Sequence, residues 1–134
     1  MASSRVRLSF VASTLLAVAA PAFGGGPSLA MLDQLDAGKW ELHARDGQPQ
    51  QVCIASGRRL IQLRHPEAQC NTFVIEDSPS QVVVQYTCPG RGYGRTEIRR
   101  ETNRLIQLQS QGVVDGYPFE VSGEARRIGS CAPR

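Results

Sequence analysis

Between positions 39 and 45 the apolar Trp40, Leu42 and Ala44 alternate with Lys39, Glu41, His43 and Arg45. That period of two predicts a half-buried strand. Asp46-Gly47 is a turn signal, and positions 50–54 read as the returning strand of a hairpin. Positions 71–76 and 81–87 are rich in Val, Ile, Phe and Tyr and flank Asp77-Ser78-Pro79-Ser80, which predicts a second hairpin. Further strands are expected at 95–101 and 105–112, joined through Asn103, and at 117–128 after the Asp115-Gly116 turn. In the last of these Phe119, Val121, Gly123 and Ala125 alternate with Glu120, Ser122, Glu124 and Arg126.

Two stretches follow a helical spacing instead. Ser28 can cap a short helix over 29–37, which places Leu29, Leu32 and Leu35 near one face and stops at Gly38. Positions 56–65 bring Leu60, Ile61 and Arg64 to helical spacing and end at Pro66. About seven strands with close turns predict an all-β fold with one or two short helices, an antiparallel meander sheet curled into a small barrel or sandwich. The expected inward set is Trp40, Leu42, Val52, Phe73, Ile75, Val82, Val84, Ile98, Ile106, Leu108, Phe119 and Val121.

The N-terminal pattern differs from all of this. Arg5 and Arg7 precede an apolar run over 8–20, which ends in Ala20-Pro21-Ala22, the three-part layout of a secretory signal peptide cleaved near Ala22. Ser13 and Thr14 interrupt the run, and it is shorter than the roughly 20 apolar residues that a membrane span needs. The expected organisation is a signal peptide over 1–22, a Gly-rich lead-in over 23–30 and one β domain over 31–134. Export to the periplasm or beyond follows, with no stable membrane anchor. The formal charge of the 134-residue chain is +3, and losing Arg5 and Arg7 leaves thirteen basic against twelve acidic residues, hence +1. That near-neutral balance argues against a nucleic-acid partner. Fourteen of the basic residues are Arg, interleaved with Glu and Gln and not clustered.

Cys53, Cys70, Cys88 and Cys131 are an even set behind an export signal, which predicts two disulfides. Cys70 and Cys88 lie nine residues to either side of Pro79, so the hairpin brings them together, leaving Cys53 with Cys131. Cys53 with Cys70 and Cys88 with Cys131 stays open as the alternative. Metal binding is not expected, because no C-x-x-C pair occurs and His43 and His65 fall on different elements. Both histidines are expected to be solvated, His43 on the polar side of its strand and His65 at a helix end.

Catalytic patterns are sparse. There is no G-x-S-x-G elbow, and nothing in the chain calls for a cofactor. Glu97, Glu101, Glu120 and Glu124 stand on strands beside arginines, a setting that suits surface cross-strand ion pairs better than paired-carboxylate hydrolysis. Gly90-Arg91-Gly92-Tyr93-Gly94 lies between strands and lacks the Gly-Lys-Ser/Thr of a phosphate loop, so it reads as a turn. Arg91, Tyr93 and Arg95 on that turn form the candidate contact surface for a protein or an anionic glycan.

Gly38-Lys39-Trp40-Glu41-Leu42, Val52-Cys53-Ile54 before a helical stretch, Cys70 leading a strand, Tyr86-Thr87-Cys88 before the glycine run, and Arg127-Ile128-Gly129-Ser130-Cys131 occur in that order. Together they resemble the exported bacterial domain-of-unknown-function family numbered 3617, whose opening is G-x-W-E. Ile54-Ala55-Ser56 departs from the Leu-Thr that commonly follows the first Cys there. The resemblance implies a small exported β domain, gives Gly38, Trp40 and Glu41 a structural role, and brings no catalytic residues. Tyr86-Thr87-Cys88 with the glycine run also resembles, over that segment alone, small periplasmic inhibitors of C-type lysozymes. The function expected is therefore a non-enzymatic binding or structural module acting on a periplasmic protein or small ligand. Inhibition of a secreted enzyme is the alternative, and hydrolysis by Glu97 and Glu120 comes last.

Overall fold

The computed structural model describes residues 27–133. The signal-peptide reading of positions 1–22 and the start of the lead-in lie outside the described residues. Seven strands form one antiparallel sheet: β1 (Gly38–Ala44), β2 (Gln50–Ile54), β3 (Asn71–Asp77), β4 (Gln81–Cys88), β5 (Gly92–Thr102), β6 (Leu105–Val114) and β7 (Tyr117–Gly129). Their spatial order is β2-β1-β7-β6-β5-β4-β3. Five strands run as a meander from β3 to β7, and the β1–β2 hairpin attaches to the far side of β7. The two edges β2 and β3 do not pair with each other among the described residues, so the sheet is open, not a closed barrel.

Local chemistry explains most of these elements. Asp115 at φ 50° and Gly116 at φ 85° form the two-residue turn whose backbone twist matches the flanking strands β6 and β7. On the inner face Trp40, Leu42, Val82, Val84, Tyr86, Ile98, Ile106, Leu108 and Ala125 are buried. They pack under α1 (Ala30–Asp33), whose neighbours Leu29 and Leu35 are buried with Met31 and Leu32, and under the one-turn 3-10 helix Gly57–Leu60 with Ile61. Trp40 is fully buried and its indole N–H donates to the Asp36 carbonyl at 2.9 Å.

Several expectations need correction. Ser28 does not cap the first helix, which spans only four residues and begins after Leu29 at φ 53°. The Asp77 carboxylate, at the end of β3, instead pins the chain that enters the helix: its Oδ2 accepts the amides of Ser28 and Leu29 at 3.0 and 3.2 Å. Leu29 therefore belongs to the folded domain, two residues before the expected boundary. The 56–65 stretch forms one 3-10 turn and then irregular turns, with the Ser56 hydroxyl accepting from the Arg58 amide.

Phe73 and Ile75 are exposed, 70% and 47%, not inward. Cys70 must reach buried Cys88, and alternation from Cys70 then turns Thr72 and Val74 inward and Phe73 outward. Val74 does pair with buried Val84, and the register shifts between Val74 and Glu76, leaving Ile75 in a bulge. The disulfides are Cys53–Cys131 and Cys70–Cys88, with Cα atoms 5.8 and 4.1 Å apart.

Candidate functional site

The glycine run is not a flexible loop. Only Pro89, Gly90 and Arg91 lie between strands; Gly92, Tyr93 and Gly94 already belong to β5. Register explains the glycines: Tyr86, Gly94, Gly112 and Phe119 stand side by side across β4 to β7 on the inner face. A Cβ at Gly94 would strike the Tyr86 phenol, so the absent side chain is what lets that ring lie over the sheet. Buried His65 closes the same cluster, correcting the expectation of a solvated ring. Its Nδ1 is 3.0 Å from the Tyr86 hydroxyl, and its ring meets Tyr86 and Phe119 edge to face at centroid distances of 5.4 and 6.1 Å. Burial pushes the Tyr86 phenol above its ordinary pKa. The Arg64 guanidinium lies 5.6 Å over the Phe119 ring.

The expected contact trio separates. Arg91 stays at the turn, where its Nε donates to Asp115 Oδ1 at 3.0 Å. Tyr93 and Arg95, two residues apart on β5, share the outer face and an outer cleft with Gln85, Gln111 and Glu120. This cleft continues into a larger one of about 660 Å³ between the loop at Arg45–Gln48 and the first half of β7, lined also by Glu97, Gln109, Phe119, Val121 and Ser122.

The large cleft exists because β1 is shorter than β7. β1 pairs with β7 only as far as Ala44 opposite Gly123, and Arg45 makes one more bond, its amide donating to the Ser122 carbonyl at 2.8 Å. The chain then turns away toward β2. Tyr117 to Val121 thus keep β6 on one side and have no strand on the other among the described residues.

The charges on this outer face fall into two groups. Near its β1 end they neutralise one another: Gln51 Nε2 donates to Glu41 Oε2 at 2.9 Å, His43 Nε2 is 2.6 Å from Glu41 Oε1, and Arg126 reaches Glu124 at 3.1 Å. The Gln51 amide and the neighbouring His43 hold the Glu41 carboxyl below its ordinary pKa. Glu101 likewise takes Arg99 at 3.4 Å. Arg95, Glu97, Gln109, Gln111 and Glu120 make no side-chain hydrogen bond or ion pair among the described residues. Glu101 and Glu124 thus pair with arginines of their own strands, not across strands as expected, and the two acids in the cleft pair with none.

Register places Arg95, Gln111 and Glu120 in one row across the sheet, and Glu97, Gln109 and Ser122 in the next. Glu97 and Glu120 are two strands and two residues apart, about 12 Å between Cα atoms on ordinary sheet spacings. Their carboxyl groups would have to converge from there to the roughly 5–9.5 Å of glycosidase pairs.

Sequence reasoning found Tyr93, Arg95, Glu97 and Glu120 as residues but missed Arg45, Phe119 and the cleft itself. The unequal spacing of turns around β1 and β7 was the available signal. The motif residues have structural places: Gly38 at φ 142° is buried against Gly129 and Arg127, Trp40 fills the core, and Glu41 anchors the outer polar cluster. Among the described residues no group of three or more His, Cys, Asp or Glu is placed to hold a metal ion, and no helix is long and apolar enough to cross a membrane. Compared with known proteins, the chain matches no family model and no curated sequence.

Proposed function

We propose that this protein is an exported, periplasmic binding module without enzymatic activity, whose ligand occupies the cleft beside the first half of β7. One observation carries the reading: Arg95, Glu97, Gln109, Gln111 and Glu120 line that cleft with no partner of their own, while the acids elsewhere on the same face, Glu41, Glu101 and Glu124, are held by Gln51, Arg99 and Arg126. The backbone that carries these side chains is a hydrogen-bonded sheet, so the scaffold itself needs little ordering when a ligand arrives. Two disulfides support an oxidising compartment. The 1–22 segment read as a signal peptide agrees with that, as does the resemblance of the sequence to an exported family.

The test is a titration of isotope-labelled, oxidised protein with cell-wall glycan fragments and with a pool of random decapeptides, followed by amide chemical shifts. Shifts confined to the cleft with either probe are expected. No shift with both, or shifts on another surface, contradicts the reading.

Inhibition of a secreted enzyme is the second reading, favoured by Tyr93 and Tyr117, which stand 51% and 76% exposed on the strands beside the cleft. Loss of C-type lysozyme activity on adding micromolar oxidised protein supports it; unchanged activity removes it.

A further inference from the structure

We propose that the ligand is an extended polypeptide segment that pairs with the open edge of β7 and continues the sheet where β1 stops, an inference that rests on the binding-module reading. The phase of the backbone fixes which groups are on offer. Ser122 points its carbonyl to the β1 side, where it accepts the Arg45 amide. In an antiparallel ladder alternate residues send both main-chain groups to the same neighbour. The β6–β7 register runs without a shift from Leu105–Arg126 to Val114–Tyr117, so Glu120 and Pro118 share Ser122's direction, while Phe119 and Val121 bond to β6.

The open edge therefore presents the Pro118 carbonyl, then the Glu120 amide and carbonyl. Pro118 fits this phase, because a residue without N–H costs no ladder bond where its nitrogen faces the open side. These groups repeat every two residues, about 6.8 Å, which is the repeat of an extended peptide and not of a sugar chain. The cleft lies alongside, and its Arg95 and Glu120, with Gln111 between them, accept side chains of either sign. The other edges are less suited. β3 is broken by the bulge at Ile75, and β2 has none of the cleft's unpaired polar side chains beyond Gln50 alongside it.

The experiment selects binders from a displayed library of random decapeptides against the oxidised protein, then follows amide exchange in the complex. Enriched peptides are expected to slow exchange of the Glu120 amide at least tenfold, with shifts confined to β7 before Gly123 and the loop after β1. N-methylation of alternate peptide residues in one phase is expected to weaken binding at least tenfold, and in the other phase to leave it. Glu120→Pro should lose binding, and Phe73→Ser, on the exposed β3 edge away from the cleft, should keep it; if Glu120→Pro does not fold, the N-methylated peptides decide. No enrichment, protection of the Phe73 edge instead, or indifference to N-methylation in both phases overturns the proposal. Glycan fragments that shift the cleft while peptides do not bind overturn it and leave the binding-module reading standing; failure of both probes removes both.

Discussion

The buried imidazole of His65 bridges Tyr86, whose hydroxyl is 3.0 Å from Nδ1, and the Arg91 carbonyl, 3.2 Å from Nε2. A carbonyl only accepts, so Nε2 carries the proton and Nδ1 accepts from the phenol O–H. This pair ties the 61–69 segment to β4 and to the turn that begins β5. Tyr86→Phe leaves Nδ1 buried without a donor, which costs about 1–3 kcal/mol. Chemical denaturation should show a lower midpoint with an unchanged slope.

The same phenol makes stability fall in alkali. Its pKa is raised in the folded state by burial, so above its ordinary value near 10 the unfolded chain releases the proton first. The contribution is complete below pH 10 and is lost as pH rises through the folded-state value. Between pH 9 and 11 the wild type should lose more stability than Tyr86→Phe; parallel curves would show that the phenol is not desolvated.

The acid limb has the opposite sign. The Arg58 guanidinium, bonded to both Asp33 oxygens at 2.9 and 3.0 Å, holds that carboxyl below its ordinary value, and Gln51 with His43 does the same for Glu41. Their contribution is present above pH 4 and is lost as pH falls through the folded-state values. Asp33→Asn combined with Glu41→Gln should therefore lower stability at pH 7 yet converge with wild type below pH 2. A constant difference across that range would contradict the assignment.

Removing the disulfides one at a time should give unequal losses. Cys53–Cys131 spans 78 residues and Cys70–Cys88 spans 18. On loop-closure entropy the first contributes about 4.5 kcal/mol and the second about 3.2 kcal/mol. Double Cys→Ser variants compared by denaturant titration measure both, and peptide mapping without reduction should return these two pairs. Cys53 linked to Cys70 would overturn the topology around β1.

Glycine substitutions separate packing from backbone conformation. Gly94→Ala drives a methyl into the Tyr86 ring and should cost about 1–3 kcal/mol. Gly90 has open space around it, so Gly90→Ala pays only for its φ of 76°, about 1 kcal/mol. A Gly94→Ala variant that melts at the wild-type temperature would refute the stacking of Tyr86 over Gly94.

Much of the architecture was legible because its signals are local. Alternation located β1, β2 and the β3–β4 hairpin, Asp115-Gly116 marked its turn, and the spacing around Pro79 paired Cys70 with Cys88. The exposed Phe73 escaped because hydrophobicity outvoted parity, although alternation from Cys70 already placed position 73 outward. His65 escaped because its burial depends on Tyr86 and on the Arg91 carbonyl, 21 and 26 residues away. Gly92 and Gly94 read as a loop because composition cannot show that Tyr86 lies over the missing side chain. Tyr93, Arg95, Glu97 and Glu120 were visible singly; their common cleft required knowing that β1 ends opposite Gly123.

Amide hydrogen exchange of the unliganded protein tests the open edge most directly. With β7 free before Gly123, the Glu120 amide should exchange close to the rate of an unprotected residue, while Phe119 and Val121, bonded to β6, exchange far more slowly. A Glu120 amide as protected as its two neighbours would mean that the edge is already covered, and would contradict the account of the cleft as a site for a partner.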